Sequence, residues 1–351
     1  MTPRTTSSKR DLLKVLERTC TTIVPTGWQV TLRPQRTSRD TGIDAILTLA
    51  PARTPPATFA VVAKSRIEPR DIVGLLAQAR AATELPLLVV APYLGRRSQD
   101  LLVESGASYV DATRNTRINL DPLFIFTTGA TTDPGREASP LRSLRGAGAA
   151  RAVRALCDYR PPVTVTALAE RSETPLATLW RVVELLQREA LVVVRSRKGL
   201  ESVDWKGLLM RWADDYSFTT SNVARPYLEP RGVPALLAKL RKRTRGYAMT
   251  GSLAVSDLLP IVASPVAMVY VTDADAVAEE LKLTAVEAGA NVVLAEPLST
   301  VVFDRVRKTD GLIAAAVSQV AVDLLTGPGR APAEAQELIA WMQANEDAWR
   351  T

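Results

Sequence analysis

The chain has 351 residues, 46% hydrophobic and 23% charged, enough for two or three packed domains and too apolar for disorder. It holds no histidine and only two distant cysteines, Cys20 and Cys157, which excludes histidine-dependent nucleophilic and zinc chemistry and a disulfide framework. The net charge of +7 is uneven: residues 1–141 carry 18 basic and 13 acidic side chains, residues 142–199 carry 11 and 5, and residues 200–351 carry 15 and 19. The shortest segment thus has the densest positive charge, the electrostatic footprint of a polyanion partner.

No apolar run approaches the roughly 18 residues of a membrane span, and "MTPRTTSSKRDLLKVLERTC" has no apolar stretch after its charges. A cytoplasmic protein without a membrane partner, metal or other cofactor is the expectation. Leu12, Leu13, Leu16 and Ile23 predict an amphipathic helix over 9–24, followed by strands at Trp28–Leu32, at Asp44–Leu49 and in "TFAVVAKSR". A helix from Pro69 to Ala81, a buried strand in "LPLLVVAPYL", a helix over 97–105 and a strand broken by a polar turn in "ASYVDATRNTRINL" complete an α/β region over residues 1–140.

This order, with Asp44 on one strand and Lys64 ending the next, resembles the PD-(D/E)xK nuclease fold. The resemblance implies that Asp44 matches the first metal-binding acid, Lys64 the lysine, and Gln78 a polar residue of the following helix. The second acid, two positions before the lysine, is replaced by Val62, which cannot ligate a metal. The resemblance also implies a substitute for the second acid, Glu68 or Asp71 at the start of the following helix, since carboxylate migration is a known variation of this fold. The expectation is a degenerate remnant with no catalytic residues, and the chain is not expected to be an enzyme.

Residues 127–142, rich in Thr, Gly, Pro and Ser, read as a linker. Residues 141–206 then have the pattern of a winged helix-turn-helix. "LRGAGAARAVRALCDY" supplies a first helix, with Val153, Leu156 and Cys157 inward and Arg151 and Arg154 outward, ended by Pro161–Pro162. A short helix from about Thr166 leads through the turn Arg171–Ser172–Glu173 to a second. Thr174 is its expected cap and Pro175 its first residue. Leu176, Leu179, Val183 and Leu186 form the expected buried stripe, opposite Thr178, Arg181, Glu184 and Arg188, with Trp180 at the core edge. Extended runs Leu191–Arg195 and Leu200–Asp204 around Arg197–Lys198–Gly199 make a hairpin, the wing. Such a helix enters a major groove and such a wing reaches the backbone beside it. Thr174, Thr178, Arg181, Arg195, Arg197 and Lys198 are therefore the expected contacts to double-stranded DNA.

Residues 207–351 read as an α/β region. Amphipathic helices are expected in "WKGLLMRWADDYSF" and "VPALLAKLRKRT", where Lys239 to Arg245 make a basic run, and strands in "GYAMTGSLAV" and "PVAMVYVTDAD". Further strands at 291–295 and 300–303 and helices at 318–325 and 332–347 follow. Gly251–Ser252 with Asp273 and Asp275 is similar to the nucleotide and Mg²⁺ motif of nucleotidyltransferases. At the start of "ADAVAEELKL", however, the aspartates make good helix-initiating residues.

Taken together, "LRSLRGAGAARAVRALCD", "LAERSETPLATLWRVVELLQREALV", "YAMTGSLAV", "EAGANVVLAEP" and "SQVAVDLLTGPGRAPAEAQELIAWM" resemble actinobacterial proteins grouped with the AbiE-type (type IV) toxin–antitoxin antitoxins. The resemblance implies a winged-helix transcriptional regulator whose C-terminal domain has a nucleotidyltransferase-like fold, with a toxin or effector as a further partner. The expectation is a sequence-specific DNA-binding regulator acting as a homodimer, through Trp341 and Met342 of the last helices or through the N-terminal domain. A Mg²⁺-dependent nuclease and an antitoxin of a nucleotidyltransferase toxin are the alternatives.

Overall fold

The computed structural model describes residues 8–35, 41–52, 55–121, 123–134, 143–195, 199–259 and 265–351. The chain is mixed α/β and forms two compact units, one of residues 1–139 with Arg188–Ala190 and one of the remainder. Among the described residues no helix is long and apolar enough to cross a membrane.

The first unit opens with α1 (Lys9–Ile23), where Ser8 and Asp11 form a reciprocal capping box that satisfies orphan amides of the first turn. Seven strands follow, with two helices among them: β1 (Gln29–Pro34), β2 (Ala45–Ala50), β3 (Ala57–Ala63), α2 (Pro69–Arg80), β4 (Leu87–Ala91), α3 (Arg96–Glu104), β5 (Ser108–Asp111), β6 (Thr116–Leu120) and β7 (Leu123–Thr127). They form one sheet in sequence order, parallel at β3–β4–β5 and antiparallel elsewhere. Leu12, Leu16 and Cys20 of α1 pack on one face, and Ile72, Leu75 and Leu76 of α2 with Leu102 of α3 pack on the other. With both faces covered, β4 is apolar at every position, so it appears in sequence as an unbroken run rather than an alternation.

β7 has no counterpart among the expected strands, and Thr127, assigned to the linker, is its last residue. Residues 128–134 hold no helix or strand, and 135–142 lie outside the described residues. The polar turn between β5 and β6 is a buried knot. The Asp111 carboxylate accepts from the amides of Leu94, Thr113 and Asn115, the Thr113 hydroxyl and the Asn115 side-chain amide. Asn115 in turn fixes the Gly129 amide and the Ala130 carbonyl, so the return of the chain after β7 is set by side chains.

The second unit begins with α4 (Ala147–Asp158), β8 (Val163–Thr164), α5 (Val165–Arg171), α6 (Leu176–Arg188), β9 (Val192–Arg195) and β10 (Gly199–Val203), where β8, β10 and β9 make a small antiparallel sheet. Then come α7 (Trp205–Ala213), α8 (Phe218–Ser221), β11 (Val223–Leu228), α9 (Val233–Leu240), β12 (Tyr247–Thr250), β13 (Ala267–Val271), α10 (Ala274–Leu281), β14 (Thr284–Ala285), β15 (Val292–Glu296), β16 (Arg307–Thr309) and β17 (Leu312–Ala314). The helices α11 (Val317–Leu325), α12 (Ala331–Ala344) and α13 (Glu346–Trp349) finish the chain. The large sheet is mixed, in the order β14-β11-β15-β13-β12-β17-β16. Residues 300–303, expected as a strand, are a 3₁₀ helix instead, capped by the Ser299 hydroxyl, which accepts from the Val301 amide.

One continuous core runs from Leu144 to Trp349. The segment expected as a separate domain over 141–206 and the region 207–351 are therefore one unit. The cause is visible on α4. Arg154, expected outward, is buried. It pairs with Asp158 at 2.9 Å and donates to the Val301 carbonyl and the Gln319 side chain. Arg151, also expected outward, is largely covered and donates to Asp304, Thr300 and the Ser172 carbonyl. The far end of the chain closes on the same helix, with Arg350 donating to the Cys157 carbonyl and the Thr351 amide to the Asp158 carbonyl. Met342 is fully buried and is therefore not available to an interface, whereas Trp341 is half-buried against the core.

Candidate nucleic-acid interface

The helix–strand–helix–helix–hairpin segment is built as the apolar spacing dictates, with differences at its polar residues. Thr164 caps α5, its hydroxyl accepting from the Ala167 amide at 3.0 Å. Glu173 takes a positive φ of 50° in the turn, and the Thr174 amide bonds back to the Ala169 carbonyl. Thr174 is not the exposed cap expected: it is buried, and its hydroxyl pairs with the Ser172 hydroxyl at 2.8 Å. A residue so enclosed cannot reach a groove, which removes it from the expected contacts. The Thr178 and Leu179 amides bond to the Pro175 carbonyl and open α6.

The buried stripe of α6 is Leu179, Val182, Val183, Leu185 and Leu186. Leu176, expected within it, is instead 42% exposed, because it stands in the first turn beyond the edge of the core. Trp180 packs against the core. Thr178 is half-buried, and a Cβ placed on Gly148 of α4 would lie 3.1 Å from its methyl group. Arg181 is exposed and lies along its own helix, donating to the Thr178 hydroxyl at 3.1 Å and the Ala177 carbonyl at 3.3 Å. The exposed ridge is thus Leu176, Ala177, Arg181 and Glu184.

β9 and β10 make the expected hairpin, with a register shift between Leu200 and Ser202. Arg195 is 81% exposed and pairs with Glu201 across the strands at 3.2 Å. Arg197 and Lys198 lie outside the described residues. The positive charge of this segment is less available than its count suggests. Arg151 and Arg154 point into the unit, and Arg160 pairs with Glu346 and Asp347.

The expected nuclease remnant is also resolved into structural roles. The Asp44 carboxylate accepts from the Ala63 amide at 2.8 Å, tying β2 to the end of β3, and pairs with Lys9 of α1 at 2.7 Å. Lys64 follows directly on β3 and is half-buried, and Gln78 lies against Gly42. Val62 is fully buried among the α2 and α3 side chains, so a carboxylate there would sit in the core. Glu68 pairs with Arg66 and Arg70 and forms a capping box with Asp71, so both acids serve the start of α2. Among the described residues no three His, Cys, Asp or Glu side chains are grouped to hold a metal ion.

In the second unit Asp273 caps α10, its carboxylate accepting from the Ala276 amide at 2.9 Å, and Asp275 pairs with Arg225 and accepts from Tyr227. The Ser252 hydroxyl donates to Glu334. Asp273 thus has the helix-initiating position expected for it. Burial pushes the Cys20 thiol up to about 12 and raises Cys157 as well, so neither is a poised thiolate.

One polar cluster was not anticipated. Asp323 of α11 is fully buried and accepts from Tyr216, Tyr270, Thr250 and Gln319. Burial outweighs these donors and raises its carboxyl to about 6. Gln319 links the cluster to Arg154, so a continuous polar path joins the large sheet to α4. The sequence signal is Gln319 and Asp323 four residues apart on a helix whose only other polar residue is Ser318. No protein-family model, curated protein or solved structure matches this chain.

Proposed function

We propose that residues 144–204 are a winged helix that binds duplex DNA, and that the chain is a sequence-specific transcriptional regulator. The observation that carries this is the exposed ridge of α6, with Arg181 in its second turn, set directly before a hairpin whose tip bears Arg197 and Lys198 in sequence. A helix so placed reads base edges, and a basic hairpin beside it meets phosphates. Two chains on two half-sites, related by two-fold symmetry, belong to this reading.

In the same proposal the first unit is a restriction-endonuclease-like α/β domain without catalysis, because Asp44 is committed to the Ala63 amide and Lys9. The second unit joins the winged helix to a nucleotidyltransferase-like sheet, the arrangement implied by the resemblance to AbiE-type antitoxins. Selection of bound sites from a random duplex library tests the proposal. The native chain enriches a defined sequence, and Arg181→Ala loses that preference by about 1–3 kcal/mol while keeping affinity for random duplex. A native chain that enriches nothing, or an unaltered preference in Arg181→Ala, assigns the segment to protein contacts instead.

A further inference from the structure

In the first unit the layer of α2 and α3 ends at Tyr109 of β5, and no residue of β6 or β7 joins the core beneath it. Phe124 and Phe126 of β7 stand on that uncovered side, 61% and 56% exposed, while Leu123 and Ile125 pack on the α1 side. β7 is also the last strand of its sheet. Its pairing with β6 runs without a bulge, Phe124 opposite Asn119 and Phe126 opposite Arg117. The Asn119 amide donates to the Ser108 hydroxyl on β5, so it faces away from β7. Asn119 and Phe124 are therefore a pair without mutual bonds. The backbone N–H and C=O of Phe124, and by alternation those of Phe126, point out of the open edge. The chain after β7 turns back, the Gly129 amide onto Asn115 and the Ala130 amide onto the Thr113 carbonyl.

We propose that β7 pairs antiparallel with β7 of a second copy of this chain, about a two-fold axis at Ile125. Phe124 then exchanges backbone bonds with Phe126 of the partner subunit, and the exposed rings pair across the axis. The strand suits this partner because it is uncharged, so two copies bring no like charges together. It also lacks the devices that keep edges apart, whereas the opposite edge, β1, exposes Arg33 and ends in Pro34. A nucleic acid fits less well, since Arg117 stands over the Phe124 ring at 5.7 Å and Asp100 lies close by, near Tyr109. A strand that meets itself closes at two copies. So short a contact falls below the roughly 800 Å² per partner of a standard interface, which makes the dimer weak, with Kd on the order of 10 μM. The inference names the interface for the two-fold arrangement proposed above and rests on that reading for its use on DNA. Self-association is measured without DNA, so either can fail alone.

The experiment is sedimentation of the full chain, free of DNA, over about 1–100 μM, a range that brackets this Kd. The native chain should pass from monomer to dimer across it. Phe124→Glu and Phe126→Lys should each weaken the dimer at least about tenfold. Both rings are exposed, so unchanged thermal melting verifies that the variants are folded. An equimolar mixture of the two variants should regain the dimer, because the axis sets the new acid of one chain opposite the new base of the other. A native chain that stays monomeric at the highest concentration, a dimer unaffected by both variants, or a mixture that stays monomeric overturns the proposal. A monomer that instead binds a single-stranded oligothymidylate through these rings overturns it in favour of base stacking.

Discussion

Arg154 and Asp158 stand one turn apart on α4, guanidinium and carboxylate 2.9 Å from each other and both almost wholly enclosed. The pair is held further by the Ser318 hydroxyl, which donates to Asp158, and by the Val301 and Asp304 carbonyls, which accept from Arg154. A basic helix face that would suit DNA is thereby turned inward and used to join two parts of one unit. Arg154→Ala leaves the buried carboxylate with only the more distant Arg305 guanidinium, at 3.9 Å, as a cation and should cost about 3 kcal/mol of stability. Urea unfolding measures it, and a loss below about 1 kcal/mol would mean that the pair is solvated. The double change Arg154→Met with Asp158→Leu should recover much of the loss, because it removes both charges together.

Asp323 sets a pH dependence with a definite sign. Its carboxyl is raised from 3.8 to about 6 by burial, so the folded state holds the proton more tightly than the unfolded chain does. The stability it contributes is complete below 3.8 and is lost as the pH rises to about 6. Asp323→Asn does not titrate. The unfolding free energy of the native chain minus that of the variant should fall by about 3 kcal/mol across this window and be flat above it. A difference that rises with pH would mean that the hydrogen bonds to Asp323, not its burial, dominate.

The wing carries its own acid. Glu201 pairs with Arg195 on the surface, where such a bridge is worth about 0–1 kcal/mol. Glu201→Gln should therefore leave thermal melting nearly unchanged while strengthening binding to random duplex, as Arg195 is released to phosphate. The salt dependence should steepen by about 0.9 in log–log slope for one added contact. Titrations at several salt concentrations decide it, and unchanged slope and affinity would place Arg195 away from the backbone.

Asp44 is expected to act in the fold rather than on a metal. Asp44→Ala removes the acceptor of the buried Ala63 amide and the partner of Lys9, and should destabilise the first unit by about 1–3 kcal/mol. Mg²⁺ should not raise the melting temperature of the native chain, since a ligand bound only by the folded state would do so. Stabilisation by Mg²⁺ that vanishes in Asp44→Ala, or plasmid cleavage that does, would restore the nuclease alternative.

Element type and order follow from residue spacing wherever one face of an element meets solvent. The apolar steps of α1 and α6 predict helices close to those observed, and the turn and alternation after Leu191 predict the β9–β10 hairpin. Short strands were less legible. β7, β16 and β17 are 3–5 residues long, too brief for a period to declare itself, and pairing with neighbours is what makes them strands.

What the sequence determined by itself was local: where helices start, which positions are apolar, and that histidine chemistry is excluded. What the tertiary structure decided was the direction and employment of charged side chains. Arg154 is expected outward from its helical spacing and Asp323 has no expected role, yet both lie in the core with polar partners supplied by distant segments. Asp44 likewise matches a metal-binding acid in sequence, and only the fold brings the Ala63 amide and Lys9 to its two oxygens. The cost of burying a polar group is set by whether a partner arrives from elsewhere in the chain, and a single stretch of sequence does not contain that partner.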